Sequence, residues 1–368
     1  IVLNGNGNVF GISGNGTITN SETQFKKYYY SIGDFYSEGT IDVTSNSEMS
    51  SAIGIYSSGS NNTKTSIYNA KGYNATGNII AKNTNGGSAY GIYSAQQTYN
   101  AEDEKKDMGV YYNNTYNAFR SSQVYGDGVA LGNIEVSIEG YSNLTQQVTG
   151  IFAAGNVYNA YANSGSDVKL ETIGNINVTD NSTVSMVNLR GIESNGATIA
   201  NAYSTGQNEN TATVVTGNIT VTNTDTKNGY STAAGIWTDS INPQGTQLYN
   251  AALVNDKNTV EGNITVESTR GRAPNLMYGI YATSHRVDED ESEAQPKTVY
   301  NAFYYNEKEG DAAGNVSGTI NVTASTQSAM SDGQYYGIYV DNGKAYNAYS
   351  SSANANVVGT INVDAYGG

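Results

Sequence analysis

Tyr278-Gly279-Ile280-Tyr281 is one of a set of near-copies. A Gly-Ile-aromatic stretch or a close variant stands at Gly11, Gly54, Gly91, Gly150, Gly191, Gly235, Gly279 and Gly337, in steps of 43, 37, 59, 41, 44, 44 and 58 residues. Two more motifs follow it in constant order. Tyr-Asn-Ala comes next, at Tyr68, Tyr116, Tyr158, Tyr249, Tyr300 and Tyr346, and is reduced to Ala200-Asn201-Ala202 in one cycle. Gly-Asn/Thr-Ile-x-Val or a shortened form of it closes each cycle, at Gly39, Gly77, Gly132, Gly174, Gly217, Gly262, Gly318 and Gly359. In the first cycle Tyr28-Tyr29-Tyr30-Ser31 stands where Tyr-Asn-Ala belongs. Three motifs in one order at a period of roughly 42 residues describe stacked units, each burying its apolar face against the next.

Within each motif the residues alternate. In Gly-Asn-Ile-x-Val the Ile and Val share a face, while x is Asp42, Glu135, Asn177, Thr220, Thr265, Asn321 or Asn362. That is a half-buried strand with its branched residues inward. The same logic turns Ile55, Ile92, Ile151, Ile192, Ile236, Ile280 and Ile338 of Gly-Ile inward. Tyr-Asn-Ala is apolar on both faces, which fits burial on both sides. Three short strands per cycle, parted by Gly/Asn/Ser turns, predict an all-β parallel β-helix of eight coils, each strand about 4.8 Å from its counterpart. The crossover rule makes it right-handed. A β-propeller has a similar period, but a blade needs four strands. Stacking brings Asn69, Asn117, Asn159, Asn201, Asn250, Asn301 and Asn347 into a ladder of amides. The chain opens on Ile1-Val2-Leu3 and closes just past Gly359 at the same phase of the cycle, so residues 1–368 read as a single array cut from a longer one.

Composition narrows the function. Eighteen basic residues against 33 acidic ones give a net charge of −15, which opposes binding to nucleic acid or to anionic lipid. No apolar run approaches the length of a membrane span. The absence of cysteine removes disulfides and thiolate metal sites, and suits a protein that crosses an oxidising space unfolded.

Candidate sites are few. The third and seventh cycles are stretched between Gly-Ile and Tyr-Asn-Ala, which predicts two protruding loops on one edge, four coils apart. They carry Glu102, Asp103, Glu104 and Asp107 in one, and Asp288, Glu289, Asp290, Glu291 and Glu293 in the other. Asp288 and Asp290 are oxygen ligands that Ca²⁺ accepts, although an acidic run is as readily a solvated, self-repelling face. The one histidine, His285, lies in that run and reads as a loop residue. The position after Gly-Ile holds Tyr56, Tyr93, Phe152, Trp237, Tyr281 and Tyr339, interrupted by Ser13 and Glu193. Facing outward, these rings form a column that either stabilises the stack or meets a sugar face or another protein. No cofactor is expected, and no pair of carboxylates is singled out as catalytic.

Repeated Gly-Asn-Ile-x-Val and Gly-Ile-Tyr strands, Gly/Asn/Ser/Thr turns, acidity and missing cysteine together resemble the passenger domains of bacterial type V autotransporters. The resemblance spans the whole chain. It implies export through an outer-membrane barrel and display on the bacterial cell surface as an adhesin or self-associating protein. The expected function is therefore non-enzymatic: adhesion or self-association through the outer face and coil ends, with the protein itself, or a surface glycan or protein, as partner. A subunit of an extracellular filament or coat, and a secreted polysaccharide-active β-helix enzyme, are the alternatives.

Overall fold

The computed structural model describes residues 1–23, 36–58, 66–72, 74–94, 114–120, 128–164, 170–184, 186–206, 213–224, 231–239, 245–255, 257–269, 276–283, 296–307, 314–325 and 333–366. Every element among them is a strand, and the strands form three parallel sheets. The Gly-Asn-Ile motif builds a nine-stranded sheet, while Gly-Ile and Tyr-Asn-Ala build one of eight strands each. The chain visits the sheets in turn, so each coil takes one strand from each. The fifth coil, for example, is Met186–Ser194, Thr198–Gly206 and Val214–Asn223. Val2–Gly5 precedes eight such coils. Stacked about 4.8 Å apart, they make a β-solenoid rod.

Register is kept without slippage. Gly132, Gly174 and Gly217 pair in line, as do Ile134, Ile176 and Ile219. A slip of one residue would turn every branched side chain out to water. The inward Ile and Val residues form one core that runs from Val9 to Ile361. Ile55, Ile92, Ile151, Ile192, Ile236 and Ile280 are wholly buried, as the alternation requires. Many strands are longer than the motifs that announce them: Leu170–Asp180 and Asn315–Ser325 have 11 residues each.

Strict alternation fails at one point in the other two sheets. Tyr278 and Tyr281 lie three apart, which in a regular strand means opposite faces. Their rings nonetheless touch, at 4.8 Å between centroids. Tyr158 and Tyr161 touch likewise at 4.9 Å. An extra residue is therefore accommodated between them, as in a β-bulge. Gly279 and Ile280 both turn inward in one case, Asn159 and Ala160 in the other. The two-sided burial expected of Tyr-Asn-Ala holds in part: its Asn and Ala face the core, and its Tyr faces out yet is buried among neighbouring rings at Tyr116 and Tyr249.

The bulges explain why the motifs travel together. A Cβ on Gly191 would lie 2.2 Å from Ile219 Cγ2 of the same coil and 2.6 Å from the Gly235 carbonyl oxygen. Only glycine lets the two sheets close. In the same way a Cβ on Gly174 would lie 2.2 Å from the Asn159 carbonyl oxygen. The Asn159 amide nitrogen in turn donates to the Gly174 carbonyl at 2.8 Å.

The predicted amide ladder is present and longer by one rung. Each inner Asn donates to the side-chain oxygen of the Asn in the following coil, from Asn20 through Asn69, Asn117, Asn159, Asn201, Asn250 and Asn301 to Asn347. Asn20 corrects the reading of the first cycle: Ile18–Thr23 is its third-sheet strand, with Thr19-Asn20-Ser21 in register with Tyr68 and Ala70. Tyr28-Tyr29-Tyr30-Ser31 lies outside the described residues.

A second amide ladder covers the outside of the Gly-Asn-Ile sheet. There each Asn donates to the preceding coil: Asn263 to Asn218, Asn218 to Asn175, Asn175 to Asn133, and Asn133 to Asn78, at 2.9–3.0 Å.

Candidate functional site

The rod has three outer faces of different chemistry. The Gly-Asn-Ile sheet presents the outer amide ladder, with a shallow hollow of about 440 Å³ over Asn78, Asn133, Glu135, Asn175 and Asn177. The other two sheets present aromatic rings, because each bulge sets two outward positions side by side.

On the Gly-Ile sheet Tyr56, Tyr93, Phe152, Trp237, Tyr281 and Tyr339 are half-buried and point outward. Tyr93 stacks between Tyr56 at 5.7 Å and Phe152 at 4.8 Å, and Tyr281 between Trp237 at 3.7 Å and Tyr339 at 5.4 Å. Stacking along the rod axis uses the ring faces and leaves edges and hydroxyls outward. A sugar laid along the column therefore meets few free faces, and the column's first role is to hold the coils together.

On the Tyr-Asn-Ala sheet a second aromatic face appears. Tyr68, Tyr116, Tyr158, Tyr203, Tyr249, Tyr300 and Tyr346 are in ring contact from the second coil to the eighth, with no gap above 5.7 Å. Burial raises the Tyr161 phenol to about 12 and pushes Tyr116 and Tyr249 higher still. The Tyr of each motif was the available signal; simple alternation hid the second ring, at Phe119, Tyr161, Tyr203, Phe303 and Tyr349, by assigning it to the other side.

The first aromatic face is interrupted by Ser13 and Ile53 in its first two coils and, over a longer stretch, in its middle. Coming before the glycine, the outward residue is Tyr90 in the third coil and Tyr278 in the seventh, but Thr149, Arg190 and Ala234 in the three coils between. Within that gap Glu193 replaces the ring after Gly-Ile. Arg190, 4% exposed, lies flat on Trp237 with its guanidinium carbon 3.8 Å from the ring centre. Its Nη1 donates to the carbonyls of Leu189 at 2.9 Å and Thr232 at 3.1 Å, and Nη2 donates to Thr232 Oγ1 at 2.6 Å. Arg190 Nε meets no acceptor, nor does the buried Thr149 hydroxyl beside it on the neighbouring strand.

Glu193 leans the other way. Gln147 Nε2 donates to its Oε2 at 2.5 Å, and the Tyr90 hydroxyl donates to Gln147 Oε1 at 3.1 Å. Burial raises the Glu193 carboxyl above the ordinary range although Arg190 opposes the shift. Desolvation likewise lowers Arg190 to about 10, where it remains charged at neutral pH.

Residues 95–113 and 284–295 both join the Gly-Ile sheet to the Tyr-Asn-Ala sheet, in the third and seventh coils. Glu102, Asp103, Glu104, Asp107, His285, Asp288, Glu289, Asp290, Glu291 and Glu293 themselves lie outside the described residues. Among the described residues no group of three His, Cys, Asp or Glu side chains is placed to share a metal ion, and no helix is long and apolar enough to cross a membrane.

No family model, no curated protein and no solved structure matches this chain.

Proposed function

We propose that this chain is an extracellular repeat protein displayed on a bacterial surface, one that acts by contact, in adhesion or self-association, and does no catalysis. The supporting observation is the outer surface of the rod, where aromatic columns on two sheets and an amide ladder on the third repeat from coil to coil and offer a long contact face. A second reading, a filament or coat subunit, would bury the same repeating faces between neighbouring rods.

Light scattering of the 368-residue chain against concentration and salt tests the reading. Species that lengthen with concentration are expected, the more so as salt shortens the Debye length to about 8 Å and screens the acidic surface. A strict monomer at high concentration and physiological salt overturns self-association. Incubation with uronic-acid and neutral polysaccharides, with and without Ca²⁺, is expected to release no oligosaccharide. Turnover that disappears when one or two carboxylates are replaced would restore the polysaccharide-active enzyme.

A further inference from the structure

We propose that the break in the Gly-Ile aromatic face, at Thr149, Arg190, Glu193 and Trp237, is a binding site for one neutral sugar residue held by a vicinal pair of hydroxyls. The proposal rests on the contact reading above and gives it a locus and a ligand class.

Three observations carry it. First, a residue that only maintains a coil recurs from coil to coil; beyond single departures at Ser13 and Ile53, this face breaks that rule in three successive coils. There Thr149, Arg190 and Ala234 replace the ring before the glycine and Glu193 replaces the ring after it. Second, the break gathers idle polar atoms. Arg190 Nε and Thr149 Oγ1 are buried without partners, a cost of about 1–3 kcal/mol each where nothing binds them. The Glu193 carboxylate takes one hydrogen bond, from Gln147, and is absent from the ion pairs found among the described residues. Third, one ring there has a ring partner on one side only. Phe152 stacks on Tyr93 and meets the edge of Tyr90, but on the side of Glu193 no ring follows it.

The charges select the ligand. An anion is opposed by Glu193 and by exposed Asp239 two residues past Trp237. A metal ion or organic cation is opposed by Arg190, which also covers the Trp237 face that a quaternary ammonium would seek. A vicinal diol avoids both conflicts. Its two hydroxyls donate to the carboxylate, a lone pair accepts from Arg190 Nε or Thr149, and the C–H face of the ring lies toward Phe152.

Trp237 is the one tryptophan in the chain, so its emission reports on the site without a label. The 368-residue chain is titrated separately with D-glucose, D-galactose, D-mannose and N-acetyl-D-glucosamine to about 100 mM, far above the millimolar Kd that corresponds to about −4 kcal/mol. A saturable emission change with at least one sugar is expected. It should weaken at least tenfold in Glu193→Gln and several-fold in Thr149→Val, which keeps the shape and removes the hydroxyl. Tyr36→Phe, remote from the break, should titrate as the parent does. A flat titration with all four sugars overturns the site, as does a change of undiminished affinity in either folded variant. Sizing the same samples keeps the two proposals separable: sugar binding by a strict monomer would sink self-association and leave the site standing.

Discussion

At the residue scale, the strongest constraints are reciprocal pairs. Asn201 donates to the Gly217 carbonyl and to Asn250, and accepts from Asn159, with no exposure to water. Asn201→Leu is expected to cost about 3–5 kcal/mol in chemical denaturation, since it strands several buried polar groups at once. Asn218→Ser on the half-buried outer ladder should cost about 1 kcal/mol, and equal losses at the two sites would refute the distinction. Gly191→Ala should cost about 3 kcal/mol or more, because backbone and Ile219 both stand in the way, while Gly16→Ala meets nothing within 4 Å and should be silent. Lys297, 2% exposed, donates its Nζ to the Thr283 carbonyl, and burial lowers its pKa to about 8. A folded pKa below the unfolded value of about 10.4 means that the charged form opposes folding. That penalty, on the order of 3 kcal/mol, is complete below about pH 8 and fades as pH rises toward 10.4. Lys297→Met should therefore be more stable than the parent at pH 7, with the gap narrowing toward pH 9.5. A gap independent of pH would show that the amine is not the cause.

At the element scale, periodicity made nearly all of the strand order legible. Gly-x-Ile-x-Val alternates cleanly, so its inward residues were readable, and Ile264→Asp should cost several kcal/mol by placing an unpaired charge in the dry stack. Full helical or disordered circular dichroism from the unmodified chain would contradict the strands themselves. The bulges were not legible. A period-two reading carries no sign of the extra residue at Gly-Ile or Asn-Ala, and it therefore missed the ring before the glycine and the whole second aromatic face. The outer amide ladder was hidden differently: its Asn lies inside the quoted Gly-Asn-Ile motif, but hydrogen bonding between coils becomes visible only once the register is known. The first-cycle strand escaped because Thr19-Asn20-Ser21 shares one letter with its relatives, while three tyrosines further on imitated them. Of the candidate site, Glu193 was noticed as a gap in the column. Arg190 and Thr149 were not, since they occupy the position that the bulge turns outward.

For the whole molecule, coils touch only their neighbours, so protection should fall toward the ends. Hydrogen exchange is expected to be fastest in Gly343–Ser350 and slowest in central strands such as Thr198–Gly206; uniform protection would mean that the array opens as one cooperative unit. The two amide ladders add an orientation to this rod. Inside, every donor points toward the C-terminal coil; outside, every donor points toward the N-terminal one. Their side-chain dipoles oppose each other where both ladders run. The outer row is the shorter: it spans Asn78 to Asn263, and Thr40, Thr319 and Thr360 hold its register in the coils beyond. The inner row alone passes through all eight coils, from Asn20 to Asn347, so it is this row that writes a single compass direction along the whole rod.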